Sequence, residues 1–592
     1  MASVQEATTL NVLPDEVLQH VLFYIPAQDI IENVQLACKR FHRLGSEPLL
    51  WRQYCKDSYQ YWDSKHRIQQ KFMGKVGDVD WKRLYLHRSN VSCKTSELLD
   101  DILNGQTNRI RKFDQIEEFG YDAKDTLLRH CKTSADAEDA LSRRYYATAV
   151  LDFLHRSKAL AEWSRLARGE HVPIERALGG FDLFVLHDQH GDLQEISQMF
   201  DDIAVRLHAE YPQFDSLTLR QRALSVIRFL RAQNLVGLNS DVAYRDLQNN
   251  YIGIALQDSA HPSLPLISVG IYCAVAKRLG LDARSCGIPN HVHAIIYPHP
   301  SEPLDGEGGD MSLMYLDPYR SEHEVPVAHI REMLSGWGIS AQETARFLAE
   351  SSSGNLILRT SRNILATIHE FRGQGESSNT GHPTIKLHAN PFADMDNAFY
   401  SALWANFMLS SPVESQRQFV QLIVERFERL YPMDASLIEK HIYPLYNSPG
   451  ANGRPLYETV RVVRAADATP RQLKLRNIHV AGDRVKYKVG QVFRHKRYGY
   501  AAVITGWDFE CGMNSEWIAY NDVDSLDRGR HQSFYHALVE DTSIRYVAEE
   551  NVEIHEPGVP TSLMGLAGKF FKRWDRESKT FVSNIRDEFP ED

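Results

Sequence analysis

The stretch from 261 to 281, "HPSLPLISVGIYCAVAKRLGL", followed by "NHVHAIIY" at 290–297 and "MYLDPY" at 314–319, decides how the chain reads. Residues 264 to 279 make an almost unbroken apolar helix with Pro265 suited to its first turn. Residues 291–297 and 314–319 alternate as strands. A cysteine hydrolase or acyltransferase needs a thiolate at a helix N-terminus, a histidine to take its proton and a carboxylate to orient that histidine. The helix begins near Leu264, His291 is the candidate base and Asp317 the candidate carboxylate. The thiol is what the pattern lacks. Cys273 lies in the apolar middle of the helix and reads as a small buried hydrophobe.

Helix, histidine strand and aspartate strand, in that order, resemble the transglutaminase-like superfamily. "LPLISVGIYCAVAKRLGL", "GIPNHVHAII", "YLDPY" and "LRTSRNIL" (358–365) are most similar to its SirB-type branch, over roughly 140–370. Counted back fifteen residues from Gly280, the slot that holds the nucleophile in that family is Pro265. Ser268 falls almost a turn late, and Ser263 fits only if the helix starts differently. Cys286 approaches His291 from the wrong side. Pro265, His291 and Asp317 therefore read as a degenerate site, with His291 and Asp317 a hydrogen-bonded pair that performs no reaction.

At 592 residues the chain exceeds one core, and a prior of roughly 150 residues per domain predicts three or four units. With 43% hydrophobic and 24% charged residues it reads as ordinary globular sequence, and its net charge of -10 argues against general affinity for nucleic acid. No signal peptide or membrane span is expected. The seven scattered cysteines form no C-x-x-C, which predicts neither disulfides nor a metal site and fits the cytosol or nucleus. No cofactor is expected.

Upstream, residues 13–55 divide into three short helices. Leu13, Val17, Leu18, Val21, Leu22 and Ile25 share one face and Pro26 ends it; Asp29 with Glu32 gives a capping-box spacing for a second helix running to Gly45; Trp51 and Tyr54 mark the third. Three helices in about 45 residues make a thin core that tends to need a partner. This segment, "LPDEVLQHVLFYIPAQDIIENVQLACKRFHRLGSEPLLWRQYC", resembles an F-box. The resemblance implies docking onto the Skp-type adaptor of a cullin-RING ubiquitin ligase, with Leu13, Pro14, Leu18, Ile30, Ile31 and Trp51 facing or supporting that adaptor.

From Tyr487 the chain turns to short strands, read as "YKVGQVFRH", "YAAVITGWDF", "EWIAYN", "SFYHALVED" and "IRYVAEENVEI", and predicted to close a small antiparallel barrel. The tail from 559, with Phe570, Phe571, Trp574 and Phe581, is expected to pack on it as a helix. Residues 486–517 together with 533–552 resemble the YccV or HspQ family, described as hemimethylated-DNA-binding. That implies a binding surface of His495, Arg497, Tyr498, Trp507, Tyr535 and His536. Charge opposes DNA: residues 485–556 hold eight Lys or Arg against twelve Asp or Glu.

The expectation is a multidomain α+β chain: an F-box at 9–58, a helical connector at 59–139, a largely helical transglutaminase-like region at 140–370, a linker with helical sequence at 371–480, the barrel at 481–558 and a tail at 559–592. "RGQGESSNTGHP" (372–383) reads as a linker, and Ser411 with Glu414 as a second capping box. The functional reading is a non-catalytic substrate receptor of a Skp-cullin-F-box ligase that binds adaptor, cullin, RING subunit and protein targets of unknown identity. The alternatives are a transglutaminase- or protease-like enzyme with an unrecognised nucleophile, and a DNA-binding factor.

Overall fold

The computed structural model describes residues 13–592 apart from 239–243, 245, 307–310, 377–394, 411–418, 447–453, 477–484, 541–542, 556–557 and 559. The Ser411–Glu414 cap and most of the 372–383 linker lie outside the described residues; 372–376 end a helix rather than open a linker. The chain forms two compact units, one from residues 1–151 with 470–592, the other from 152–469. Among the described residues no helix is long and apolar enough to cross a membrane.

The N-terminal segment opens with α1 (Asp15–Leu22), α2 (Lys39–Leu44) and α3 (Pro48–Ser58). The expected second helix is two. Helical structure already starts at Ala27, widens through a π turn at Ile30–Val34 and stops at Cys38, whose extended backbone (φ -163°) lets its sulfur cap α2 by accepting the Phe41 amide at 3.5 Å. Asp29 is consequently inside the helix and caps nothing. Trp51 is fully buried with its indole donating to the Gly45 carbonyl, and the Tyr54 hydroxyl donates to the carbonyls of Leu22 and Ile25 that end α1. The thin core is completed from the same chain: Tyr59, Trp62 and Trp81, the last at the start of α4 (Trp81–Asn104), pack into it.

The second unit is built around buried helices. In α5 (Ile174–Val185), Gly180 brings the backbone so close to Trp163 that a Cβ would lie 2.6 Å from its indole nitrogen. That nitrogen donates to the Ala177 carbonyl. α6 (Leu193–Glu210) and α7 (Leu219–Ala232) both begin with capping boxes, at Asp192–Glu195 and Thr218–Gln221. α8 (Pro265–Arg278) is buried at every position from Pro265 to Ala276, as an all-apolar circumference requires. Behind it lies a sheet of β1 (Ala283–Ser285), β2 (Ala294–Ile296) and β3 (Met314–Leu316), antiparallel in the order β1-β2-β3. The strands are shorter than expected because Pro289 and Asn290 (φ +61°) turn the chain just ahead of β2, and Asp317 begins a turn just after β3. α9 (Ser353–Glu376) and α10 (Met395–Leu409) pack together, and a buried bidentate pair, Arg156 with Asp434 at 2.7 and 2.8 Å, ties the later helical sequence to this unit.

The C-terminal segment contains β4 (Val492–His495), β5 (Ala501–Asp508), β6 (Phe534–Val539), β7 (Ile544–Ala548) and β8 (Val552–Ile554) in one antiparallel sheet, ordered β7-β6-β5-β4-β8. "EWIAYN" is no strand: Asn514 caps a helix, Ser515–Tyr520, by accepting the Trp517 amide. The fifth strand arises because the last predicted run splits in two. β7 and β8 stand at opposite edges, about 19 Å apart in a flat five-stranded sheet, yet only four Cα steps of at most ~3.8 Å join Ala548 to Val552. The sheet therefore curls toward a barrel. The tail is mainly a hairpin, β9 (Phe571–Asp575) with β10 (Thr580–Ser583), after a short helix at Thr561–Ala567, and Phe571, Phe581 and Phe589 join the core of this sheet. Gly490 (φ +92°) accepts the Phe581 amide, and a Cβ there would strike the Phe581 carbonyl oxygen. Gly490→Ala is expected to destabilise the barrel by roughly 2–4 kcal/mol. Urea unfolding of the full chain, with hydrogen exchange over 492–508 as the local reporter, checks this.

Candidate functional site

Pro265 stands at the first turn of α8, after Leu264 as N-cap, so the helix start expected to carry a nucleophile carries a ring without a reactive group. The register of β2 on β3 pairs Ala294 with Leu316. His291, in the bend before β2, and Asp317, just past β3, thus meet at one end of the sheet, with Nε2 2.7 Å from Oδ2. The other oxygen, Oδ1, accepts the amides of Tyr319 and Arg320 at 3.2 Å each. Burial resists ionisation of Asp317, but the hydrogen bond and charge of His291, then the charge of His293 and the Arg320 amide, hold its carboxyl below the usual carboxylate value. His291, His293 and Asp317 are each buried.

The two thiols nearest in the chain are both buried. Cys273 is buried two helical turns below Pro265, and burial, with Cys286 beside it, pushes its thiol far up. Cys286 is fully buried, its sulfur accepting the His293 amide at 3.3 Å, and burial raises its thiol too. Ser263 and Ser268 are also enclosed: their hydroxyls are 2.7 Å apart and both accept the Gly237 amide. A cleft of about 670 Å³ near the start of α9, lined by residues including His171, Glu350, Ser352 and Asn355, does not include Pro265, His291 or Asp317.

In the F-box-like segment Leu18, Ile30 and Trp51 face inward, Leu13 and Ile31 are half-buried and Pro14 is exposed. The outward apolar residues are others: Val17 (45% exposed), Val21 (43%) and Tyr24 (78%) follow one face at helical spacing, with Leu36 (76%) and Leu49 (58%) also open. Periodicity could not separate Val17 and Val21 from Leu18 and Leu22, since all fall within one broad apolar arc.

The proposed barrel surface needs correction. His495, Trp507 and Tyr535 are buried, because the pleat turns them into the core. The Trp507 indole donates to Asp592, and the Tyr535 hydroxyl donates to Glu549 while accepting the Lys486 and Tyr487 amides. Arg497 and Tyr498 are exposed and His536 half-buried. His536 joins a group the sequence did not mark: Asp508 accepts from His536 at 3.2 Å, Tyr546 at 2.8 Å and Lys474 at 2.8 Å. Lys474 is distant in sequence and only folding brings it there.

Two outcomes follow from these environments. In native labelling with iodoacetamide, the exposed Cys38 and Cys93 should react long before Cys273 and Cys286, and replacing His291 should not change the order seen by peptide mass spectrometry. His495 accepts the Arg497 and Tyr498 amides on Nδ1, which needs a neutral ring; burial, then Arg545 and Arg497, push it down to about 4. The unfolded ring titrates near ~6.5. Its stabilising contribution, of the order of 2–3 kcal/mol, is therefore complete above that pH and lost progressively as pH falls toward 4. Hydrogen exchange over 492–508 should accelerate across this window, with a shallower pH slope in His495→Gln.

Three families match the chain: F-box-like over residues 10–57, the Transglutaminase-like superfamily over 194–362, and Hemimethylated DNA-binding protein YccV like over 485–578. F-box only protein 21 of Mus musculus is 23% identical over 582 residues, spanning 91% of this chain and 86% of that protein. The Homo sapiens F-box only protein 21 is 22% identical over 577 residues with the same coverage, and that of Pongo abelii 22% over 580 residues, covering 91% and 85%. No solved structure matches. The chain is thus a multidomain α+β protein with an F-box-like start, a transglutaminase-like middle and a YccV-like end, similar along nine-tenths of its length to F-box only protein 21.

Proposed function

We propose that the chain is the substrate-recognition subunit of a Skp-cullin-F-box ubiquitin ligase. The observation that carries this reading is the row Val17, Val21 and Tyr24, with Leu36, which stays open to solvent although the core beneath it is already closed by Trp51, Trp62 and Trp81. Large apolar side chains left uncovered over a satisfied core mark a docking face. The F-box-like match supports a partner of this class, and in this reading it is an adaptor that bridges to cullin and RING subunits. The chain then acts by proximity, raising the effective concentration of a target lysine near a charged conjugating enzyme without forming a covalent bond itself.

In this reading the transglutaminase-like region is a scaffold without acyl chemistry. Proline in the nucleophile slot and the burial of Cys273 and Cys286 support that, and the His291–Asp317 pair holds the sheet end together. The YccV-like region serves protein contact, since its charge balance disfavours phosphate. The free thiols suit the reducing cytosol or nucleus.

Co-purification with adaptor and cullin tests the assignment. Val21→Glu and Leu36→Glu should each cut adaptor recovery at least about tenfold, as a charge at an interface core does, with melting temperature unchanged. Trp51→Ala should instead destabilise the segment by about 3–5 kcal/mol. Full recovery with both glutamate variants would refute the docking face, and a mobility shift on DNA at low salt would favour the DNA-binding alternative.

A further inference from the structure

We propose that His291, His293 and Asp317 form a binding site for a single zinc-class divalent ion, in the place where the transglutaminase-like arrangement would hold its acid–base pair. The donor atoms of these three side chains all lie within 4.8 Å of one another, and all three residues are buried. Two imidazoles and one carboxylate make the donor set that suits zinc and related ions, and three protein ligands leave one coordination place for a water.

The surroundings orient this set. Asp317 Oδ1 is fixed by the Tyr319 and Arg320 amides, which leaves Oδ2 directed at the histidines. His293 Nδ1 lies 3.3 Å from the His291 carbonyl oxygen; donating there fixes the tautomer and leaves Nε2 with its lone pair. A ring held by a backbone carbonyl through its other nitrogen is the usual support of a metal-bound histidine. The two rings meet edge-on with centroids 5.1 Å apart. His293 is also the residue that neither nucleophile activation nor the His291–Asp317 pair requires.

Zinc takes the Nε2 lone pair of neutral His291, so the proton that Nε2 donates to Asp317 Oδ2 moves by way of solvent to Nδ1 and the ring stays neutral. The 2.7 Å pair then opens to about 3.3 Å, the separation of two ligands each ~2.0 Å from a tetrahedral ion. The second three-residue cluster among the described residues, His66, His87 and Asp122, is a poorer host. Its carboxylate already has Lys65 at 3.5 Å and the buried Arg88 at 3.6 Å, two cations that repel an incoming ion. The inference is independent of adaptor docking, so either can fail alone.

The test uses the purified full chain, stripped with a chelator and titrated with zinc against a chromophoric competitor. One equivalent is expected, weakened about 100-fold or more in His293→Gln and Asp317→Asn and unchanged in a His66→Gln, His87→Gln control. Cobalt in place of zinc should give the visible bands of a tetrahedral site. Where a variant fails to fold, hydrogen exchange of the unaltered chain decides: zinc should slow exchange over 289–296 and 314–320. Absence of micromolar binding, binding indifferent to His293→Gln, or zinc protection confined to 64–88 and 122 would each overturn the site.

Discussion

The middle unit depends on one constraint: α8 is enclosed on every side. A helix with no solvent face must satisfy each polar side chain it carries inside the protein, as Tyr272 does by donating to the Ala223 carbonyl. At its start Pro265 satisfies the geometry of a first helical turn while supplying no nucleophile, and the hydroxyls of its Ser268 and of Ser263, just ahead of it, accept the Gly237 amide. The ionisable groups that survive nearby belong to the sheet end, where the β2–β3 register joins His291 to Asp317.

The N-terminal segment shows the opposite balance. Its core is closed by tryptophans from its own continuation, and what remains open is a row of aliphatic and aromatic side chains on α1 and beyond. A closed core with an apolar exterior separates two roles that a thin helical trio could confuse, holding itself together and holding something else. At the other end, the curled sheet draws Trp507, Tyr535 and His495 inward and leaves Arg497 and Tyr498 outside. Aromatic identity alone thus says little about which residues meet a partner.

Much of this was legible in the sequence. The apolar run of α8, the placement of Pro265, the separation of His291 from Asp317 and the strand-rich end follow from local rules of periodicity and turn chemistry. The errors cluster where local signals are ambiguous. "EWIAYN" alternates enough for a strand, but Asn514 capping makes it a helix; the aromatic tail reads as helix, but cross-strand pairing of Trp574 with Phe581 makes it a hairpin. Within α1, Val17 and Leu18 are adjacent on one apolar arc, and only packing turns one out and the other in.

By itself, the sequence determined the element types of the long periodic segments, the order of the three regions and the proline in the first helical turn at residue 265, because each depends on residues close together in the chain. Tertiary structure decided which apolar side chains remain exposed, that Lys474 reaches Asp508, that Arg156 pairs with Asp434, and that His293 joins His291 and Asp317. Those contacts are set by strand register and helix packing across many residues, and no spacing along the chain encodes them locally.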